Sequence, residues 1–196
     1  MSSRASRLKE MFEISDFAHW LGCDTVALHL GFIPHDPAAP GYGEIVEVTR
    51  TLCDHCDRHG QFLHLETGQE TADGLLEFIH QVDRDNLKIN FDPANMILYG
   101  TGEPIEALRK VGAHVRSVHC KDGTWSDQPG VTWGTEVALG KGDVGMEAYL
   151  RTLHEIGYRG PLTIEREIPQ DPTRQKAEIG QAIKLLTELR AKVLAS

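Results

Sequence analysis

The sequence predicts an α/β domain in which short parallel strands alternate with helices. Two observations carry this: five short apolar runs recur along the chain, and stretches of helical periodicity separate them. A third concerns position, because acidic residues and one histidine close four of those runs. The 196 residues fit one domain spanning 1–196, long enough to bury a core.

Taken in order, a polar helical stretch over about 10–21 ends at Gly22 and leads into the apolar run TVALHLGF. A Pro- and Gly-rich loop, IPHDPAAPGYG, precedes a helix over 43–59 that Gly60 closes. QFLHLETG is the second strand, followed by a helix over about 71–82 and the strand segment LKINFDPANM. EPIEALRKVG has Pro near its start and Gly just past its end, the punctuation of a helix. HVRSVHCKD is a strand, and a loop over about 122–143 separates it from the helix MEAYLRTLHEIG and the strand PLTIEREI. The last segment, QKAEIGQAIKLLTELRAKVL, is an amphipathic helix with Ile179, Ile183, Leu186 and Leu189 on one stripe. Strand–helix alternation implies a parallel sheet covered by helices, either an open doubly wound sheet or a closed (β/α)₈ barrel. Neither a G-x-G-x-x-G after the first strand nor a Walker A lysine motif is present, which weakens a nucleotide-binding reading.

Composition narrows the class. Asp plus Glu outnumber Lys plus Arg by 29 to 20, a formal charge of −9 that disfavours a phosphate-backbone surface. The amino-terminal MSSRASRLKEMF lacks the apolar run of a signal peptide, and no stretch of about 18 apolar residues could span a membrane. The expectation is a cytoplasmic protein without nucleic-acid or membrane partners. Cys53 and Cys56 form CDHC, yet they lie near the end of a helix where Ile45, Val48, Leu52 and Cys56 recur at helical spacing. A redox pair opens a helix after a strand instead, so these read as ordinary thiols, with metal or redox chemistry through His55 or His59 as the lesser reading.

The chemistry concentrates at strand ends. Glu66 closes FLHLE, Asp92 closes KINFD, His119 closes VRSVH and Glu165 closes LTIE, at intervals of 26, 27 and 46 residues. The first two intervals each hold one βα unit and the third adds the long loop, so parallel strands bring all four to one rim. Singly each has an ordinary explanation: Asp92 precedes Pro93 and can cap a turn, and Glu165 stands beside charged Arg166 and Glu167. Together they repel strongly without a cation. Three carboxylates and one imidazole suit one divalent metal ion, Mn²⁺ or Mg²⁺ foremost, with Zn²⁺, Co²⁺ or Fe²⁺ less favoured.

LETG, NFDPANM, VRSVHCKD, the LGKGDV loop and YRGPLTIERE follow one another in the order of the xylose-isomerase-like barrel superfamily, the sugar phosphate isomerase/epimerase group, which this chain resembles over nearly its whole length. The resemblance implies a TIM-barrel-like (β/α) repeat whose metal ligands are Glu66, Asp92, His119 and Glu165, with Mn²⁺ the first expectation. It assigns Glu66 and Glu165 as acid/base residues on opposite sides of the substrate carbon. The implied function is a sugar or sugar-phosphate isomerase or epimerase working by proton transfer through a metal-stabilised enediolate; a dehydratase of the same superfamily, or a non-catalytic metal- or carbohydrate-binding protein, is the alternative. Two positions depart from the pattern: Asn95 stands where many epimerases have His, and Trp125 where they often have Arg. Asn95, Lys121, Asp122, Trp125 and His29 are the candidate substrate contacts, and His35 lies in the adjoining loop. The endonuclease IV branch requires further ligands for a trinuclear zinc cluster, which this sequence does not supply.

Counting back from Glu165 on the eighth strand makes TVALHLG the fourth, so the first three strands of a full (β/α)₈ barrel are not represented. A barrel of about 250 residues is usual. A short protein completed by a homo-oligomer, a late start or truncation, or an open-sheet binding protein would each account for this.

Overall fold

The computed structural model describes residues 4–168 and 171–195. Its elements run α1 (Arg4–Trp20), β1 (Thr25–Leu28), α2 (Tyr42–Asp57), β2 (Phe62–Glu66), α3 (Ala72–Val82), β3 (Leu87–Phe91), α4 (Pro93–Tyr99) and α5 (Pro104–Val111). They continue with β4 (Val115–Cys120), β5 (Asp122–Thr124), β6 (Thr135–Val137), α6 (Met146–Glu155), β7 (Thr163–Ile164) and α7 (Pro172–Leu194). Five strands pair in parallel in the order β1-β2-β3-β4-β7, and β5 and β6 form a separate antiparallel pair.

That strand order settles the architecture. A doubly wound sheet reverses direction at a switch point, whereas here each new strand joins the same growing edge. Right-handed crossovers at every step place the covering helices on one face, and the result is a half-barrel of the TIM type. Strand alternation separates the two faces. Leu63, Leu65, Leu87, Ile89, Phe91 and Val118 are buried beneath the helices. On the other face, Glu66 is in register with Asn90 and Asn90 with Ser117, while His64 Nδ1 lies 2.8 Å from Ser117 Oγ. No helix among the described residues is long and apolar enough to cross a membrane.

Several boundaries differ from the sequence expectation. The first helix begins at Arg4, six residues early, where Arg4 pairs with Glu44 of α2. The segment after Asp92 is helix α4 rather than extended chain, because Asp92 caps it and Pro93 occupies its first turn. Within α2 the buried positions are Tyr42, Val46, Thr49, Leu52, Cys53 and Cys56; of the expected stripe, Leu52 and Cys56 are buried and Ile45 and Val48 pack partly buried against the core, and all four cysteines are free. The α7 stripe holds in its second half, with Leu186 buried and Leu189 packed on the core, whereas Ile179 and Ile183 are exposed and Ala182 and Val193 are buried beside it. Its amino-terminal end is held by charge instead, through Arg166 to Glu178 at 2.6 Å and to Glu136 at 2.7 Å. The last strand shrinks to two residues, since Pro161 offers no N–H and Glu167 N–H is taken by Glu136.

The expected loop over 122–143 contains the β5–β6 pair, and its base is fixed by a buried carboxylate. Asp122 accepts backbone N–H groups from Gly123, Gly140, Gly142 and Val144 at 2.8–3.2 Å. A Cβ on Gly142 would stand 2.3 Å from that carboxylate, so only glycine allows the approach.

Replacing Asp122 with Ala strands four backbone donors, those of Gly123 and Val144 buried, and is expected to lower unfolding free energy by about 3 kcal/mol, measurable by urea denaturation. A second expectation concerns pH. Burial holds the His64 imidazole down at about 4, against an ordinary 6.5. Below pH 6.5 the unfolded chain takes up a proton that the folded chain refuses, so this contribution is intact above 6.5 and is lost progressively towards pH 4. The His64→Gln variant should lack up to about 3 kcal/mol of that acid sensitivity, seen by comparing urea midpoints of the two proteins across the range.

Candidate metal centre

Four successive strand ends deliver the rim. Glu66 is the last residue of β2, Asp92 follows β3, His119 lies one residue inside the end of β4 and Glu165 directly follows β7. Parallel register does the rest: His119 is level with Thr163 and Glu66 with Asn90. One ligand atom from each of the four lies within 4.8 Å of the others. His119 Nδ1 is 2.9 Å from Glu165 Oε2, 3.3 Å from Glu66 Oε1 and 3.4 Å from Asp92 Oδ2.

Asp92 shows how one residue meets two demands. Its Oδ1 accepts the N–H groups of Ala94 and Asn95 at 2.8 and 3.0 Å, capping α4. Its Oδ2 is left over, turned towards the cluster. The cap and ligand readings of Asp92 are therefore compatible, one for each oxygen. Thr67, which the sequence reading passed over, fixes this residue by donating from Oγ1 to the Asp92 carbonyl and accepting the Asp92 N–H. Nothing in LETG marks that threonine, because its partner is 25 residues away.

Electrostatics confirm the crowding. Burial opposes a charge on His119, but the Asp92, Glu165 and Glu66 carboxylates outweigh it and push the imidazole up to about 11. Glu165 is held down at about 2, chiefly by its bond to His119. Glu66 also falls to about 2, since His119 and His29 overcome the cost of burial. Asp92, fully buried, is raised by desolvation. Asp92 Oδ2 and His119 Nδ1 are nevertheless both buried without a well-formed hydrogen bond. Two orphaned atoms amid three carboxylates fit a cation: the four residues could hold a divalent ion through three oxygens and one nitrogen.

The candidate substrate contacts divide. His29 Nε2 is 3.3 Å from Glu66 Oε1, and the ring borders an adjoining cavity of about 160 Å³. Asn95 Nδ2 donates to Glu66 Oε1 at 3.2 Å and to the Thr67 carbonyl. Lys121, almost wholly buried, donates to Glu165 at 3.3 Å and Glu167 at 3.4 Å. Those three adjoin the cluster. Asp122 instead spends its carboxylate on the loop clamp, and Trp125 packs against the core with its N–H on Asp143. His35, outside the cluster, meets the Gln69 carbonyl at 3.1 Å.

Two supporting residues escaped the sequence reading besides Thr67. Asn90 presents its side-chain amide 3.1 Å from His119 Nε2. With its oxygen turned to an Nε2–H, it leaves the Nδ1 lone pair facing the carboxylates. Strand alternation from Asp92 would have placed Asn90 on the same face. Tyr149 of α6 donates to the His119 carbonyl at 3.0 Å from behind the sheet, a contact without a local signal.

A family model described as xylose isomerase-like TIM barrel matches residues 2–189. A solved xylose isomerase domain protein from Planctomyces limnophilus is 63 % identical, with a TM-score of 0.96 over 100 % of this chain and 70 % of that one. A xylose isomerase-like TIM barrel protein from Mycobacterium smegmatis, solved in complex with magnesium, is 23 % identical, with a TM-score of 0.74 over 95 % of this chain and 68 % of that one. Among curated relatives, the uncharacterized protein MJ1311 of Methanocaldococcus jannaschii is 25 % identical over 86 % of this chain. An inosose dehydratase of Clostridium botulinum is 28 % identical over 56 % of it. The matches span 59 % and 40 % of those two relatives' lengths.

Replacing Asn90 with Leu keeps a side chain of similar size but removes the partner of His119 Nε2. Divalent-ion affinity is expected to fall about 10–100-fold, read by titrating the purified variant with Mn²⁺ or Mg²⁺ in a calorimeter.

Proposed function

The chain belongs to the xylose isomerase-like TIM-barrel family, and from that premise we propose that it is a divalent-metal-dependent isomerase or epimerase of a sugar or sugar phosphate. The observation that carries this reading is the pair of glutamates, Glu66 and Glu165, approaching His119 Nδ1 at 3.3 and 2.9 Å from strands on either side. In this reading Glu66, Asp92, His119 and Glu165 hold the ion. Mn²⁺ is the first candidate and Mg²⁺, Zn²⁺ or Co²⁺ the others, because hard carboxylate oxygens outnumber the single nitrogen. When bound, the ion supplies positive charge beside the substrate oxygen on which negative charge develops.

The residues then divide the proton work. One glutamate removes the proton from the carbon beside a carbonyl, and the C–H electron pair moves to form an enediolate. The other glutamate returns a proton from the opposite face, which inverts the carbon; return to the neighbouring carbon gives isomerisation instead. Lys121 orients Glu165 and Asn95 orients Glu66, each by a hydrogen bond to the carboxylate. His29, at the mouth of the cavity beside Glu66, is placed to meet a hydroxyl of the substrate. Trp125 and Asp122 act in this reading through the loop that borders the rim. A cytoplasmic setting, self-association, and the absence of nucleic-acid partners complete the proposal.

The first test is divalent-metal content of the purified chain beside the Glu165→Gln variant. With Mn²⁺ or Mg²⁺, which the rim oxygens favour, about one ion per chain is expected, lost in the variant; no binding of either even after reconstitution would sink the reading. Transfer of solvent deuterium into ketoses or their phosphates is the second test. Glu66→Gln and Glu165→Gln should each slow it by at least about 100-fold. Appearance of an unsaturated product in place of exchanged sugar would move the assignment to dehydration, which shares the same first proton removal.

A further inference from the structure

A second convergence of metal-type donors lies outside the sheet, where α1 packs on α2. Phe12, Asp16 and His19 recur at helical spacing on α1, and His55 lies in the last turn of α2 with His59 in the turn just past its end. The two stripes meet. His55 Nε2 and His59 Nε2 both lie on Asp16 Oδ1, at 2.8 and 2.9 Å. Each imidazole is fixed by a stacked ring: Phe12 on His55 with centroids 4.3 Å apart, and His19 on His59 at 4.4 Å. The CDHC cysteines take no part, because Cys53 and Cys56 face the buried side of the helix.

We propose that Asp16, His55 and His59 form a second divalent-metal site, selective for zinc-type ions and separate from the rim cluster. Two imidazole nitrogens, one carboxylate oxygen and a water in the fourth position make a donor set suited to Zn²⁺. The three donor atoms already lie within 4.8 Å of one another. In a tetrahedral zinc site, bonds of about 2.0–2.2 Å set donors about 3.3 Å apart. The observed spacings need open by only about half an ångström to admit the ion. On binding, each Nε2 gives up to water the proton it shares with Asp16, the imidazole carries its single proton on Nδ1, and the freed Nε2 lone pair goes to the metal. Asp16 supplies one negative charge and is solvent-exposed, so the ion enters directly from water. An ion held there ties α1, which packs beside β1, to the helix behind it.

A hydrogen-bonded His–Asp–His trio is the competing account, and the Asp16→Asn variant separates the two. An asparagine oxygen still accepts both N–H groups but is a poor zinc ligand. With zinc added to the whole chain, about two ions should bind, and about one to Asp16→Asn or His59→Ala. Glu165→Gln should retain the helix-bound ion. Equal zinc content and affinity in the native chain and Asp16→Asn would overturn the proposal. If either helix variant fails to fold, imidazole ¹⁵N resonances of the native chain decide: His55 and His59 Nε2 must shift on zinc addition, and unmoved resonances at saturation refute the site. Because these readouts involve neither sugar nor the rim ligands, the result stands whatever the rim proves to do.

Discussion

Three carboxylate oxygens crowd one imidazole nitrogen at 2.9–3.4 Å, and their repulsion in a partly desolvated pocket must be offset before the strand ends can stay together. The three carboxylates favour a proton on His119, and a divalent ion fits the same role. The arrangement also needs support from behind, because carboxylates free to turn would simply swing into water. Thr67 locks the backbone of Asp92, and Tyr149 locks that of His119. The polar network is therefore continuous from the loops to the helix layer, which is what allows a fully buried Asp92 at all.

Much of this was legible because a parallel sheet converts sequence spacing into position. Glu66, Asp92, His119 and Glu165 each end an apolar run, and the pleat leaves no choice of rim once the strands run the same way. Periodicity alone did not give the strand order, which came from the resemblance to the barrel family and which the sheet bears out. Alternation alone admits a doubly wound sheet, and only the pairing of β7 beside β4 removes that option.

The misses have a common physical origin. Thr67, Asn90 and Tyr149 act through partners on other strands or helices, and no local periodicity records such contacts. The α7 stripe was right only in its second half, because an exposed aliphatic such as Ile183 scores like a buried one in a pattern of residue types. Asp122 is a different case. A carboxylate two residues beyond a strand end looks like a substrate contact until four backbone donors are found on it.

That same carboxylate makes the neighbouring excursion modular. One foot of the segment is tied where Trp125 N–H meets Asp143, and the other where Gly134 N–H meets the Leu98 carbonyl. Residues between these ties include exposed Val131 and Trp133, the latter set edge-on against Tyr99. Loop-closure entropy grows only slowly with length, so such a stretch can be lengthened, shortened or exchanged at little thermodynamic cost. For protein engineering it is a cassette, a stretch to be exchanged between feet that stay anchored.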